Sequence, residues 1–487
     1  MNKCTALFLI LAFSSVSFAG DFQWSGLYRI EGYSIKNSSL DASNKEKSYG
    51  LHHLILRPRI EAADGITIRS RFDIFNYGAN SNTGFTAYPS NQLGAIWGSG
   101  VGTATPTNSS DSNVISQAQQ PDTLQVTELY LTLTQEFGAL VAGRIPLQFG
   151  LGMVHNAGNG NFDHWMDNRD VIGYKIVMGN LFLLPMYGKV AEGSKTGTTS
   201  LEKNDDVTDI MIQFQYENPE SGMEMGLFYQ GRSANSGNDV PEKGTDFIVG
   251  GAGAKLGRMS TKNISLYGLK DTKDYRFGVE ASWQEGNLGI VTAQDQEVEL
   301  SGYGLAMEFD YRPENSRLNF GFRAGFATGD DPETEDKFEG FIFDRNYDVA
   351  FLLFNHTLGQ KNFFRTEMIG TQDPGNNSTT HNAPDIEAIS NVYYFAPTLT
   401  YKWSDRWSLQ TTLVTGWLQT DPLVNTDVDK SLGYELDLGF NFKPNDRVTW
   451  VNQVGLLFPG SAFKAGDVNN FDTDFAYGLV SKAAISF

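Results

Sequence analysis

The sequence predicts an all-β protein, a transmembrane antiparallel β-barrel. Three observations support this fold class: apolar and polar residues alternate over most of the chain, short turns alternate with long connections, and the last residue is aromatic. Aromatic residues make up 13% of the chain and charged residues 19%, yet the mean hydropathy of −0.31 is that of a soluble protein. A membrane barrel explains both values, because its apolar side chains occupy alternate positions along each strand.

The amino terminus has the pattern of a secretory signal peptide. Lys3 provides a short basic start, residues 6–13 form an apolar core, and small residues precede a predicted cleavage after Ala19. Residues 1–19 are therefore assigned to the signal and residues 20–487 to one barrel domain. Cys4 is the only cysteine and leaves with the signal, which excludes disulfides and thiolate sites from the exported chain.

The alternation of side chains locates the strands. In GYELDLGFNFK, residues 433–443, Glu435 and Asp437 lie on one face and five aromatic or leucine side chains on the other. YGLAMEFDY and LNFGFRAGFA repeat this period of two, and helical spacing fits none of these segments. About twenty-two segments reach the ~9 to 11 residues of a tilted membrane strand, so we expect an even number of strands between about 16 and 22.

Short turns and long connections alternate along the chain. This layout is typical of outer-membrane barrels, which have short periplasmic turns and long extracellular loops. The predicted turns are Ala63-Asp64-Gly65, Gly179-Asn180, Glu285-Gly286-Asn287, Pro313-Glu314-Asn315, Ser404-Asp405 and Pro444-Asn445-Asp446. The predicted long loops are 76–122, 328–345, 372–390 and 459–474.

The chain ends with an amphipathic strand, FAYGLVSKAAISF, that closes on Phe487. This ending resembles the sorting signal of outer-membrane barrels in Gram-negative bacteria. The predicted partners are therefore outer-membrane lipid and the barrel-assembly machinery, which would engage the strand that ends in Phe487. A soluble β-sandwich is the alternative fold. Nucleic acid is excluded as a partner by the formal charge of −20.

Three segments are similar to sequences of the alginate-export family of outer-membrane barrels and its porin-like relatives. They are GYELDLGFNFKPNDRVTWVNQVGLLFPGSAF at 433–463, FATGDDPETEDKFEGF at 326–341 and GRIPLQFGLGMVHNAGNGNFDHWMDNRD at 143–170. The resemblance implies a single barrel of about eighteen strands. It also implies a porin-like channel, since family members include exporters of an anionic polysaccharide through a basic lumen.

Four arginines gather around the first predicted turn despite the acidity of the chain. A hairpin centred on Asp64 pairs Arg57 with Arg71 and Arg59 with Arg69, although like charges that face each other across strands are destabilising. The apolar residues of both strands have the opposite parity and must meet lipid, so the arginines are expected to face the lumen. Three further arginines have plausible inward parity. The predicted pore-lining and anion-binding set is Arg29, Arg57, Arg59, Arg69, Arg71, Arg144 and Arg323.

Two explanations of this basic sector stay open. A row of fixed positive charges can select the ions that enter a channel, and a guanidinium can hold a carboxylate at two points. Alternatively, Glu31, Glu61 and Asp73 share the inward parity and could form salt bridges that brace the wall.

Two other clusters of ionisable residues occur. Asp163, His164, Asp167 and Asp170 form the only His-carboxylate cluster, but no HExxH or GxSxG motif accompanies it, and a loop pinned by Asp turns is the better interpretation. The acidic loop 330–336 lacks the ligand spacing of a calcium loop. We therefore predict no metal, no cofactor and no catalytic residue.

The combined prediction is a passive outer-membrane channel or export conduit, possible substrates being anionic solutes or polysaccharide. Two other classes of function remain open: a surface barrel whose long loops bind a partner, and a barrel enzyme centred on His164.

Overall fold

The computed structural model describes a β-barrel with two segments folded into its interior. The described residues are 21–38, 40, 46–74, 95–96, 124–191, 206–234, 255–292, 294–331, 333–334, 336–356, 358, 388–421, 429–464 and 474–487. The predicted signal peptide, residues 1–19, lies outside these residues, as do most of the predicted loops 76–122 and 372–390.

Eighteen strands form the wall; two further strands of two residues each, Ala95–Ile96 and Lys337–Phe338, only flank it. The wall strands are β1 Asp21–Lys36, β2 Lys47–Ala63, β3 Ile66–Ile74, β4 Leu124–Gln135, β5 Gly138–Pro146, β6 Asn168–Met178, β7 Leu181–Ala191, β8 Val207–Asn218, β9 Met223–Ala234, β10 Lys255–Asp271, β11 Tyr275–Val291, β12 Glu297–Tyr311, β13 Leu318–Ala327, β14 Val392–Lys402, β15 Trp407–Leu418, β16 Ser431–Asn445, β17 Val448–Pro459 and β18 Ala476–Ser486.

Each wall strand pairs antiparallel with its neighbours in chain order, and β18 pairs with β1 to close the sheet. Closure leaves no free sheet edge, so every strand can satisfy its backbone hydrogen bonds without water. The predicted fold class is confirmed, and the strand number falls inside the predicted range. A 3-10 turn at Ser461–Lys464 follows β17. No helix among the described residues is long and apolar enough to cross a membrane.

One predicted turn is wrong, and the error divides one strand of the wall into two predicted segments. Glu285-Gly286-Asn287 lies inside β11, where all three residues pair with β10. Gly286 has a φ of 133°, which residues with a side chain rarely adopt. A Cβ at this position would also collide with the backbone of Ser260. The glycine marks an irregularity within a long strand, whereas the sequence alone suggested a chain reversal.

The two faces of the wall differ as the period of two predicts. Large apolar side chains such as Trp24, Phe320 and Trp450 are exposed on the outside, where a membrane would cover them. The hairpin of β2 and β3 has the predicted register: Arg59 lies opposite Arg69, and the pairs on both sides of Arg57 and Arg71 keep that register. The arginine sector is therefore one continuous patch on the inner face.

The buried apolar residues lie inside the barrel. The largest cluster joins residues 341–358 to the inner faces of strands from both ends of the chain, and a second cluster joins residues 147–149 to β6 through β10. We name residues 147–167, which connect β5 to β6, the first inward segment. Residues 341–356, from the connection between β13 and β14, are the second inward segment. Both segments cover part of the inner face of the wall, so they determine which luminal side chains remain accessible to solutes.

Candidate functional site

The first inward segment is held by arginines that donate to its backbone carbonyls. Arg71 Nη1 donates to the carbonyl of Gly158 at 3.0 Å, and Arg29 donates to the carbonyl of Asp163. Arg57 donates to the side-chain oxygen of Asn159 at 3.0 Å. Charge-assisted hydrogen bonds of this kind are roughly twice as strong as neutral ones. The basic sector thus supports the tip of an internal loop.

Carboxylates balance the two most buried of these arginines. Arg29 lies 3.2 Å from Glu31, and Arg71 lies 3.1 Å from Asp73 and 3.6 Å from Glu128. Each arginine is almost fully buried, at 1% and 0% exposure. A buried charge is tolerated only when it is paired and hydrogen-bonded. For Arg29 and Arg71 the bracing interpretation, with Glu31 and Asp73 as partners, describes the contacts well.

On the opposite wall, the first inward segment rests on Glu280 and on an aromatic cluster. The Glu280 carboxylate accepts hydrogen bonds from the backbone nitrogens of Leu151 at 2.6 Å and Met153 at 3.2 Å. Phe149 packs against Phe228, with ring centroids 5.5 Å apart. The segment therefore spans the lumen from β1, β2 and β3 to β11.

The second inward segment is held by two carboxylates of β16. Glu435 accepts hydrogen bonds from the backbone nitrogens of Leu352 and Leu353, both at 2.7 Å, and Asp437 accepts one from Phe351 at 3.0 Å. These acids are 0% and 3% exposed. Their inward parity was visible in the sequence, but their partners lie more than eighty residues away and left no local signal.

The two inward segments are fastened to each other. The Asn346 side chain accepts hydrogen bonds from the backbone nitrogens of His164 and Trp165 at 3.0 Å and donates to the carbonyl of Trp165 at 2.8 Å. The Arg345 guanidinium lies 4.5 Å from the Trp165 ring centroid. Asp344 adds a backbone hydrogen bond of 2.7 Å to the carbonyl of Met153. The segments form one internal body.

His164 is a member of this body. Its Nε2 lies 2.9 Å from a Glu31 carboxylate oxygen, and its side chain is 9% exposed. Burial lowers the pKa of His164, against the opposing effect of Glu31. Asp163 accepts a hydrogen bond from the backbone of Gly160 at 2.6 Å and Asp167 one from Asn156 at 3.3 Å. Both aspartates therefore pin the loop, but through donors that precede them in the chain, whereas an Asp turn uses a donor two residues later. That the chain has no catalytic residue stays a prediction.

Three arginines of the predicted set are more accessible. Arg69 is exposed and has no ion-pair partner among the described residues, while Arg59 bonds Glu61 at 2.7 Å with both side chains about 40% exposed. Arg57 is only partly buried and contacts the neutral Asn159. These residues flank the turn at Asp64. The sector is thus divided into a braced half and an accessible half.

Arg323 and Arg144 differ from each other. Arg323 faces the lumen as predicted and bonds Asp310 at 3.2 Å. Arg144 does not: it lies opposite Leu129, which is 53% exposed on the outer surface, and it forms an exposed ion pair of 2.8 Å with Asp170. The inward assignment of Arg144 is therefore wrong. The inner face of β5 is apolar, with Ile145 buried, because the first inward segment covers it.

The sequence missed Glu280, Glu435, Asp437 and Asn346 as positioning residues. The first three were recognisable as acids with inward parity, which is costly in a strand unless a partner exists. Nothing local distinguished Asn346. The described residues contain no group of three or more His, Cys, Asp or Glu side chains that could hold a metal ion.

The chain aligns with several solved structures at low sequence identity. OccK8 (OprE) of Pseudomonas aeruginosa aligns over 96% of this chain and 98% of its own, with a TM-score of 0.49 and 7% identity. OccAB3 of Acinetobacter baumannii aligns over 96% of this chain and 99% of its own, with a TM-score of 0.48 and 8% identity. OccK9 (OpdG) of P. aeruginosa aligns over 96% of this chain and 99% of its own, with a TM-score of 0.47 and 10% identity. No family model and no curated protein matches the chain.

The closed barrel of eighteen strands, the apolar outer surface and the polar inner surface are those of a protein in the bacterial outer membrane. In that setting the barrel wall contacts membrane lipid.

Proposed function

We propose that the protein is a passive outer-membrane channel, that the two inward segments narrow its lumen, and that Arg57, Arg59 and Arg69 attract anionic solutes to one end. The observation that carries the proposal is the division of the arginine sector. Arg29 and Arg71 are neutralised and support the first inward segment, whereas Arg69 is exposed without an ion-pair partner in the described part of the chain.

Electrostatics favours small anions at this end of the barrel. Guanidinium groups keep their charge at every physiological pH and can hold a carboxylate or phosphate at two points. Arg59 has one carboxylate partner, and Arg57 has a neutral side-chain partner. Uncompensated charge on the wall of a channel raises the local concentration of counter-ions, more strongly at low salt.

The test is planar-bilayer recording of the purified protein in a salt gradient. The variant R69Q should shift the reversal potential toward cation preference, most clearly at low salt, and R57Q/R59Q/R69Q should shift it further. The matched control is R144Q, which removes the same charge from the outer surface and should leave selectivity unchanged. An unchanged reversal potential in the triple variant, with normal assembly, would contradict the proposed role of these arginines.

The resemblance to the alginate-export family raises polysaccharide as a second anionic substrate. A polymer chain would have to pass two inward segments that are bonded to each other and to the wall. Small anions therefore fit the proposal better than polymer. Alginate oligomers of increasing length, added during the same recordings, test this directly: length-dependent block of the current would favour the polymer, and indifference to length would favour small solutes.

Delivery to the outer membrane completes the proposal. The predicted signal peptide would direct export, and the barrel-assembly machinery would engage the last strand. Phe487 exchanges two backbone hydrogen bonds with Gly26 at 2.9 and 3.0 Å, so the terminal residue takes part in closing the barrel. Its ring is 53% exposed on the outer surface, which leaves it accessible to lipid or to an assembly partner.

A further inference from the structure

Asn159 lies at the tip of the first inward segment, beside the accessible half of the arginine sector. Its side-chain oxygen accepts a hydrogen bond of 3.0 Å from Arg57 Nη2. Residues 159–161 are exposed, whereas Gly158 before them and His164 after them are buried. The tip is therefore an open turn between two anchored ends.

The surroundings of Arg57 are those of an anion site. Arg57 forms no ion pair within the described part of the chain, and the register of the hairpin places it opposite Arg71, with Arg59 two residues away. On its other side Arg57 faces Ser25 of β1, an exposed residue with a neutral hydroxyl. A guanidinium presents a fork of donors that matches a carboxylate or a phosphate. The amide oxygen of Asn159 thus occupies the place that a carboxylate oxygen would take.

The contact at Arg57 can be exchanged at low cost, in contrast to the contact at Arg71. The Gly158 carbonyl, which accepts a hydrogen bond of 3.0 Å from Arg71, belongs to a buried residue. A buried acceptor that loses its partner is costly, whereas the exposed Asn159 amide can bond to water instead. Because Arg71 keeps the backbone at Gly158 in place, release at Arg57 requires only that the Asn159 side chain rotates.

We propose that Asn159 is a built-in competitor for anions at Arg57, an inference that rests on the proposed channel function. An arriving carboxylate has a full charge and two oxygens, so it forms the pair of parallel hydrogen bonds that a single amide oxygen cannot form. The solute takes Arg57 from Asn159, and the amide returns when the solute leaves. Because the competitor occupies the site between solutes, it lowers the apparent affinity for anions. Conduction needs such weak binding, since a solute that binds tightly does not leave the channel.

Calorimetric titration of the purified protein with succinate, a small dicarboxylate, measures the competition. Asn159→Ala removes the competitor and should tighten succinate binding about tenfold, the equivalent of one hydrogen bond to a charged group. Asn159→Asp places a permanent carboxylate beside Arg57 and should weaken binding by at least as much. In the background of Arg57→Gln, Asn159→Ala should have no effect. Heat-modifiable migration on gels would show that the variants are folded.

The matched controls are Asn161→Ala and Asn161→Asp. Asn161 is exposed in the same tip, but its amide donates to the Thr449 hydroxyl at 3.4 Å and contacts no arginine. Asn161→Ala should bind succinate like the wild type, and Asn161→Asp should weaken binding less than Asn159→Asp does. Equal weakening by the two aspartate variants would show that negative charge anywhere in the tip is sufficient, which would overturn the inference. Equal affinities of the wild type and Asn159→Ala would also overturn it.

This result can be separated from the test of the proposed function. If R57Q/R59Q/R69Q shifts the reversal potential while Asn159→Ala binds succinate like the wild type, the channel function stands and the competitor role is wrong. If the triple variant leaves the reversal potential unchanged, the proposed function fails, and the calorimetry still decides whether Asn159 competes with an anion at Arg57.

Discussion

The tip of the first inward segment and the second inward segment are attached to the wall by opposite chemistry, although the other end of the first segment also donates amide hydrogens to a carboxylate, Glu280. The first presents carbonyl oxygens near its tip to Arg29 and Arg71, whereas the second presents the amide hydrogens of residues 351–353 to Glu435 and Asp437. Charge assistance strengthens both attachments. The difference is that Arg29 and Arg71 are themselves neutralised by acids, while the second attachment consists of acids that have backbone donors as partners. Replacing an arginine at the first attachment leaves its acid partners unpaired, whereas replacing an acid at the second attachment affects only backbone donors. The loss of stability should therefore differ between the two attachments.

The largest expected effect is the loss of Arg71. Arg71→Met would leave Asp73 and Glu128 with a missing partner and release the carbonyl of Gly158, so we expect a loss of about 3–5 kcal/mol in the stability of this region. The temperature at which the folded band disappears on gels should fall, and proteolysis should cut the first inward segment.

The control for this substitution is Arg323→Met, which removes a luminal arginine that bonds Asp310 and donates to neither segment. It should leave proteolysis of the first inward segment unchanged. If Arg71→Met also exposes residues 351–353, the Asn346 contacts couple the segments and the two attachments form a single unit. Equal effects of both substitutions would show that the contact to Gly158 contributes nothing.

A smaller effect is expected from neutralising the second attachment. In Glu435→Gln/Asp437→Asn the acceptor oxygens stay in place but the pair loses its negative charge, which should weaken the three hydrogen bonds by about 1 kcal/mol each. Hydrogen exchange at residues 351–353 should become faster while exchange at 157–159 stays slow. Asp310→Asn, at a luminal acid that bonds Arg323, is the matched control and should change neither. Slow exchange at 351–353 in the double variant would show that apolar packing alone holds the second segment.

The smallest predicted effect concerns Asp348 in the second inward segment. Desolvation in the lumen, with a contribution from the Asp163 and Glu31 carboxylates, raises the pKa of Asp348 to about 7, although Lys482 acts in the opposite direction. The carboxyl is neutral below that pH and negative above it. Cation preference should therefore increase as the pH rises from 6 to 8.

Asp348→Asn should reduce this change in reversal potential with pH, whereas Asp405→Asn, in a short turn outside the lumen, should not. The same pH dependence in wild type and Asp348→Asn would assign the titration to another group. This measurement refines the comparison, because it shows whether the second inward segment carries a charge that changes near neutral pH.

The alternation of side chains determined the barrel, because a period of two creates two faces and an apolar outer face must be covered by lipid. It also determined the pairing of Arg59 with Arg69, since Asp64-Gly65 is a turn whose Gly65 has a φ of 75°. The amphipathic last strand, which ends in Phe487, could also be recognised from the alternation of its side chains. The alternation did not determine the strand number, because a glycine within a long strand resembles one in a turn.

Only the tertiary structure decided which inner residues meet water and which meet protein. Arg71 and Arg69 lie two residues apart with the same parity, yet one is fully buried and the other exposed, because the first inward segment covers only the former. The same segment made the inner face of β5 apolar and so reversed the expected orientation of Arg144. The physical reason is that sequence periodicity distinguishes the two faces of a strand but carries no information on what packs against each face. That depends on contacts between residues far apart in the chain.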